Sequence, residues 1–518
     1  MSSRNADMNI PLIELNGRGL DSDTVALIAD GGARVKPAPG ALDVVASSWR
    51  MADELVATRR VYGRSTGVGA NRTLDVAPGD LGLHGLRLLR SHAGGIGDPL
   101  PGRQVRAMLA VRFNQLLAGG AGLRVEVVEA LAAAVEAGVH PLVNEYGAVG
   151  TGDLSALSQL GLALAGEHPW LVAADAGERG DGGDGGAGRR STPPLPISLE
   201  TSDALALISS NALTLGQAAL ARSAVEGLLR ASHVVAGLSL LAVGGSLEAY
   251  AEPVHAARPH PGNVRAAAEV RRVVGGPDRP GPPTGRIQDP YAFRCFPQIH
   301  GPALEASEAL ERVLAIELNA GAENPLISAD GPDGPAAYHH GGFYSAHLAL
   351  ALDQLSLATL PTARLSAARL SALAEPAITG LRPFLADEVS AGSGMLILEY
   401  SANAAIAEMR NAAAPASLGH AVLSRSVEEA ASFASQASRQ ALRMVEAYRL
   451  VLGCELVAAV RALRQRDDVK KAEWSDLSLP AGRAYALADA TLDPSMEDRP
   501  LTADVAAAAG LLGALAEL

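Results

Sequence analysis

The sequence predicts a mostly α-helical protein made of long packed helices, and three observations carry that prediction. Apolar residues recur at helical spacing over roughly 202–247, 263–274, 301–320, 342–373, 393–411, 425–464 and 500–516. Several of these stretches far exceed three turns, and long helices without a strict heptad pack as bundles. The composition is 48% hydrophobic but only 3% aromatic. The interior must therefore be built from Ala, Leu and Val, of which Ala and Leu are strong helix formers. No stretch alternates apolar and polar residues as a half-buried strand does.

Within the first fifty residues only a helix near 41–58 can be placed. Tyr62 then opens a glycine-rich loop, V-Y-G-R-S-T-G-V-G-A-N-R, Val61 to Arg72. Helices are expected over 80–92 and 103–118, joined by the turn G-G-I-G-D-P-L-P-G, and over 123–137. From Ala174 to Pro196 the chain turns to Gly, Asp, Arg and Pro, which cannot bury apolar surface, and a mobile loop is expected there. The reading divides the 518 residues into an N-terminal domain, 1–200, that ends in this loop (174–196), and a long-helix bundle, 201–518. No repeat of 20 to 50 residues is found.

Charge and cysteine content narrow the function classes. A formal charge of −13 argues against nucleic acid or an anionic membrane as partner, since both need a basic surface. The two cysteines, Cys295 and Cys454, stand far apart without metal-ligand spacing, so neither a disulfide framework nor a metal site is expected and a reducing cytoplasm fits. Residues 231–247 lack formal charge, but His233, Ser and Gly interrupt them, which favours a buried helix over a membrane span. The first ten residues lack the apolar core of an export signal.

One stretch is built for close approach: G-A-V-G-T-G-D-L-S-A-L-S-Q, from Gly147, sets glycines around the hydroxyl of Thr151 immediately before an apolar helical run. Asp153 is placed to cap that helix. By itself such a cluster most often marks a tight turn. Other polar segments lie between the helices. Ser91-His92 precedes the Gly/Pro turn. R-I-Q-D-P-Y-A-F-R-C-F-P-Q-I-H-G, Arg286 to Gly301, crowds Gln288, Tyr291, Arg294, Gln298 and His300 into a segment read as non-helical, where such donors serve binding more often than packing. Arg294 offers a planar fork suited to a carboxylate. E-L-N-A-G-A-E-N-P, Glu317 to Pro325, is followed by H-H-G-G-F-Y-S from His339.

In order and spacing these pieces resemble the histidine and aromatic amino acid ammonia-lyases and their aminomutases. The resemblance runs from about Val61 to Arg464 and includes R-P-H-P-G, S-G-M, and P-A-S followed by Glu428. It implies the mostly α, long-helix bundle of the ammonia-lyase (fumarase/aspartase-like) type, assembled as a homotetramer whose sites combine segments of three subunits. It implies an amino-acid substrate, a cytoplasmic carbon-nitrogen lyase, and no metal or nucleotide. It further implies an electrophilic methylidene-imidazolone group made by cyclisation and dehydration of an internal Ala-Ser-Gly. By the same resemblance Tyr62 is the base that takes the β-proton. His92 selects the side chain, and as histidine suits a polar substrate. Gln288, Tyr291 and Arg294 hold the electrophile's surroundings and the substrate carboxylate. Asn324 and Phe343 line the pocket, and Glu428 is the acidic position of the histidine-processing branch.

The chain departs from the family around the electrophile. Counting back from Gly152-Asp153-Leu154, the tripeptide is Gly150-Thr151-Gly152, with threonine at its centre and one residue missing upstream; counting forward from Gly147 it is Thr151-Gly152-Asp153, with no central hydroxyl, and the first register is favoured because the residues after the motif set the following helix. Dehydrated threonine carries a methyl group where the amine must add. Ser209-Ser210-Asn211 replaces the family's Asn-Gly-Thr, Gly342 its Asn before the pocket phenylalanine, and Glu399 its Gln before Tyr400. Three readings stay open: a lyase or aminomutase with a self-derived group at Gly150–Gly152, an elimination or addition enzyme without that group, and a non-catalytic amino-acid-binding protein or hetero-oligomer partner.

Overall fold

The helix Ala41–Thr58 shows how pattern becomes structure here. Val45, Ser48, Ala52 and Leu55 share one face and are buried, while the opposite face is polar. The computed structural model describes residues 10–172, 193–283, 285–388, 391–466 and 475–518, and the expected Gly-rich loop lies outside the described residues up to residue 192.

The chain divides into two units that are each discontinuous in sequence, where the sequence reading places a single break after residue 200. The first comprises 1–223, 311–352 and 415–439, and the second 224–310, 353–414 and 440–518. Four of the five boundaries fall inside the helices Ala212–Ala242, Phe296–Glu317, Ala346–Ala374 and Ala434–Arg464, and the fifth follows the helix Leu396–Ala412.

In the first unit the helix Gly102–Leu117 is buried on nearly every side. Gly216 crosses it so closely that a Cβ would lie 2.9 Å from the backbone of Ala107 and Met108, which makes glycine necessary at this crossing. Arg112, wholly buried on that helix, donates to the carbonyls of Ala206 and Leu207 and pairs with Glu323 at 2.8 Å. Four two-stranded sheets occur among the described residues, and all belong to this unit. Leu12–Leu15 pairs in parallel with Arg34–Pro37, Leu12 opposite Arg34. Ile96–Pro99 pairs antiparallel with Asn144–Tyr146, His140–Pro141 with Trp170–Leu171, and Leu326–Gly331 with Gly334–Tyr338. The second unit is helical among its described residues, with the helices Pro261–Val274, Leu396–Ala412, Pro480–Thr491 and Thr502–Ala516.

The helical class stands, with local corrections. The strands escape the alternation test because they are two to six residues long. The stretch 202–247 is broken at Ser209-Ser210-Asn211 into Thr201–Ile208 and Ala212–Ala242. The last long helix begins at Ala434, not near 425, because Ser424, Arg425, Ser426 and Phe433 take positive φ values of 52° to 63°. The segment 286–301 is not all loop: Tyr291–Arg294 is a helical turn and Phe296 starts a helix. His300 is accordingly a core residue, stacked on Phe296 at 3.8 Å. Thr201–Ala242 is long and apolar enough to cross a membrane by composition, but its most apolar window is entirely buried in the protein.

Candidate active site

The first unit holds an open cavity of about 1110 Å³ lined by six chain segments, and the Tyr62 loop forms one wall. Val61 anchors this loop in a cluster with Ala52, Leu55, Ile327 and Ala337. Buried Arg64 ties it down further by donating to the carbonyls of Ala121 and Gly122. Tyr62 Oη accepts the Gly69 N–H at 2.8 Å. Burial pushes the phenol above its ordinary pKa of 10, and the Glu428 carboxylate adds to the rise, while the Gly69 bond and Arg72 oppose it. A base with a lowered pKa is therefore not what the chain by itself presents.

His92 ends the helix Leu81–His92 on the next wall. Its Nδ1 lies 2.9 Å from the Leu88 carbonyl, which can only accept, so the neutral ring carries its proton on Nδ1 and leaves Nε2 as an acceptor. Asn324 donates its backbone N–H to Ser209 Oγ at 2.9 Å and accepts the His340 N–H at 3.1 Å. His340 Nδ1 accepts from the Gly342 N–H, so Nε2 donates to the Glu323 carbonyl at 2.7 Å. Phe343 lines the cavity, and its carbonyl accepts from Asn211 Nδ2 at 2.7 Å. Ser424, Ser426, Glu428 and Glu429 close the last side, where Ser424 Oγ accepts the Ala70 N–H.

The Gly147 stretch enters this cavity through Thr151 and Gly152. Gly150 takes φ +86° and Gly152 φ +120°, and a Cβ at 150 would meet Ser432 Oγ at 2.2 Å, so alanine does not fit there. The loop carbonyls face one segment: Ala148 accepts from Ser435 Oγ, Val149 from the Phe433 N–H and Gly150 from Ser432 Oγ, at 2.7 to 2.8 Å. The far side is held elsewhere, with the Gly152 N–H on Asn211 Oδ1 at 2.9 Å and the Asp153 N–H on the Ser210 carbonyl at 2.7 Å. Asp153 does not cap its helix with its side chain. Its carboxylate accepts the Thr214 N–H and hydroxyl, both at 2.8 Å, and burial pushes its pKa to about 6. A methylidene-imidazolone needs the Gly152 nitrogen on the Gly150 carbonyl carbon and a dehydrated residue without a β-methyl. The anchored ends and Thr151 do not fit that group.

Of the sequence-predicted residues, Tyr62, His92, Thr151, Gly152, Asn324, Phe343 and Glu428 line the one cavity. Gly150 lies next to it in the loop. Gln288, Tyr291 and Arg294 belong to the second unit and are not among its lining residues. The Arg294 guanidinium stacks on the Tyr291 ring at 4.2 Å, and Tyr291 is 66% exposed. The sequence reading missed His339, His340 and Asn211 as site residues. The paired histidines before a Gly-Gly-Phe were the available signal, whereas Asn211 was noted only as a departure.

A helical bundle with a tyrosine, a histidine and a carboxylate around a glycine-flanked turn defines a carbon-nitrogen lyase of the ammonia-lyase class, and the comparisons with known proteins agree. Residues 20–488 match the aromatic amino acid lyase family, to which the chain belongs. Histidine ammonia-lyase from Anaeromyxobacter sp. (strain K) is 32% identical over 505 residues, 96% of this chain and 98% of that protein. The structure of histidine ammonia-lyase from Trypanosoma cruzi superposes with a TM-score of 0.85 at 28% identity, covering 97% of this chain and 94% of that one. That of the ergothioneine-degrading enzyme ergothionase from Treponema denticola gives 0.83 at 25% identity, covering 97% and 99%. The chain is an enzyme of the carbon-nitrogen lyase type.

Proposed function

We propose that the chain removes the β-proton and the α-amino group of an α-amino acid with a polar side chain, histidine foremost, and releases an enoate and ammonia. The observation that carries this reading is the meeting of Tyr62, His92 and Glu428 in a single cavity. His92 Nε2 can accept an N–H from the substrate side chain, as an imidazole or amide supplies. Tyr62 takes the β-proton as phenolate, stabilised by the Gly69 N–H. A substrate ammonium beside Glu428 offsets the negative charge that raises the Tyr62 pKa, so binding itself favours the basic form.

The substrate carboxylate is assigned to Arg294, with Gln288 and Tyr291 completing the site from neighbouring subunits of a homotetramer in the cytoplasm. Purified protein assayed against the common α-amino acids for enoate and ammonia tests the reaction. Turnover of histidine or another polar amino acid is expected, and silence on all of them from folded protein overturns it. Mixing Tyr62→Phe with Arg294→Ala subunits tests the sharing: activity should reappear in the mixture, and none should reappear if each chain completes its own site.

A further inference from the structure

We propose that Gly150-Thr151-Gly152 persists as ordinary peptide in the mature protein, and that the Thr151 hydroxyl is a hydrogen-bonding group beside the departing nitrogen. This rests on the lyase reading, and it gives that reaction a route with no internal electrophile.

The hydrogen bonds are the reason. Cyclisation must bring the Gly152 nitrogen to the Gly150 carbonyl carbon. Yet the carbonyls of Ala148, Val149 and Gly150 are all fastened to residues 432–435, while Gly152 and Asp153 donate to Asn211 and Ser210. Only Thr151 spans the two anchors. Glycine at 150 gives no slack, because Ser432 Oγ and the backbone nitrogens of Phe433 and Ala434 fill the space where a Cβ would stand. Closing the ring would break bonds on both sides of the segment. Thr151 lines the same cavity as Tyr62, Glu428 and Glu429.

The reaction balances without the group. The Tyr62 phenolate takes the β-proton, the C–H electron pair becomes the Cα–Cβ double bond, and the C–N bond breaks with its pair on nitrogen. Because the nitrogen enters as an ammonium, it leaves as neutral ammonia, and the phenol is restored. The requirement transferred to the protein is to keep the nitrogen protonated until it leaves. Glu428 and Glu429 supply the negative field and Thr151 Oγ1 an acceptor.

Accurate mass of the peptide that contains Thr151, taken from the purified full-length protein, tests this directly. The unmodified sequence mass is expected, and loss of one or two waters overturns the proposal. Thr151→Ser and Thr151→Val then separate the roles. A hydroxyl that only accepts a hydrogen bond predicts near-full activity for Ser and a loss of about tenfold for Val. Complete inactivity of a folded Val variant, with binding of a substrate analogue retained, overturns the positional role. An unmodified peptide in a protein silent on every amino acid leaves the peptide assignment standing and overturns the lyase reading instead.

Discussion

The two units bury polar side chains for different ends. In the first, buried charges hold loops: Arg64 grips the carbonyls of Ala121 and Gly122, Arg112 those of Ala206 and Leu207, and Asp153 the start of the helix Ala212–Ala242. In the second, Arg461 also reaches the carbonyls of Leu385 and Met496, but the most buried charges hold helices to helices. Glu455, fully buried, accepts from Ser239, Ser366 and twice from Arg369 at 2.5 to 2.8 Å, and Arg369 lies over the Phe296 ring. A backbone outside regular structure has carbonyls to satisfy, and a guanidinium reaches several at once. Between helices that satisfy their own backbone, the buried charges of Glu455 and Arg369 satisfy one another. The irregular unit can therefore present a chemically varied cavity, and the helical unit is left to specify packing.

That contrast can be broken most forcefully in the helical unit. Glu455→Ala strands the Arg369 charge and should cost about 3–5 kcal/mol in denaturant unfolding. A loss below 1 kcal/mol would show that the pair does not organise the bundle. Tyr62→Phe should do the opposite, lowering kcat by about 10²–10⁴ while the melting curve stays in place, because among the described residues the phenol oxygen is hydrogen-bonded to the Gly69 N–H alone. Gly150→Ala lies between these extremes. Its Cβ meets Ser432 at a positive φ, so about 1–3 kcal/mol of stability should go together with activity.

Two pH experiments sharpen the comparison further. In the helical unit burial lowers the pKa of His233 and His300 below the ordinary 6.5; the charges of Glu269 and Glu226 oppose this at His233, and His233 and the Arg369 charge add to it at His300. The unfolded chain binds those protons more readily, so this stability is complete above about pH 6.5 and lost as pH falls below it. Replacing His300 by Gln should flatten the acid limb of a stability profile measured by thermal melting. In the cavity unit the raised Tyr62 pKa places the rising limb of kcat/KM above the ordinary value of 10. Glu428→Gln removes a negative charge facing the phenol, which Arg72 also faces, and should move that limb to lower pH. An unmoved limb would separate Glu428 from Tyr62 electrostatically. Asp153→Asn should show the smallest effect, about 1 kcal/mol. Its carboxyl, raised from 3.8 to about 6, makes the fold most stable below about pH 4, and part of that stability is lost as pH rises through about 6, while the Thr214 bonds to the carboxylate limit the loss.

Much of this was legible in the residues. Apolar spacing located the long helices because a helix buries a stripe whatever lies opposite it. Motif order singled out Tyr62, His92, Asn324, Phe343 and Glu428, which the fold brings around one cavity. Hidden were the break at Ser209-Ser210-Asn211 and the irregular segment 424–433, where apolar or helix-forming residues adopt other conformations under tertiary constraint. His300 illustrates the same limit: a histidine in a polar-looking segment became core because Phe296 stacks on it.

The sequence by itself determined the helical class, the family, and the placement of a threonine where the family sets a serine. These are properties of composition, periodicity and residue identity along the chain. Only the tertiary structure decided that the two ends of that short turn are tied to different segments, 432–435 and 210–211, and that the Tyr62 phenol is held above its ordinary pKa. Both depend on partners up to several hundred residues away in the chain, and no local pattern encodes which hydrogen bond a folded neighbour will supply.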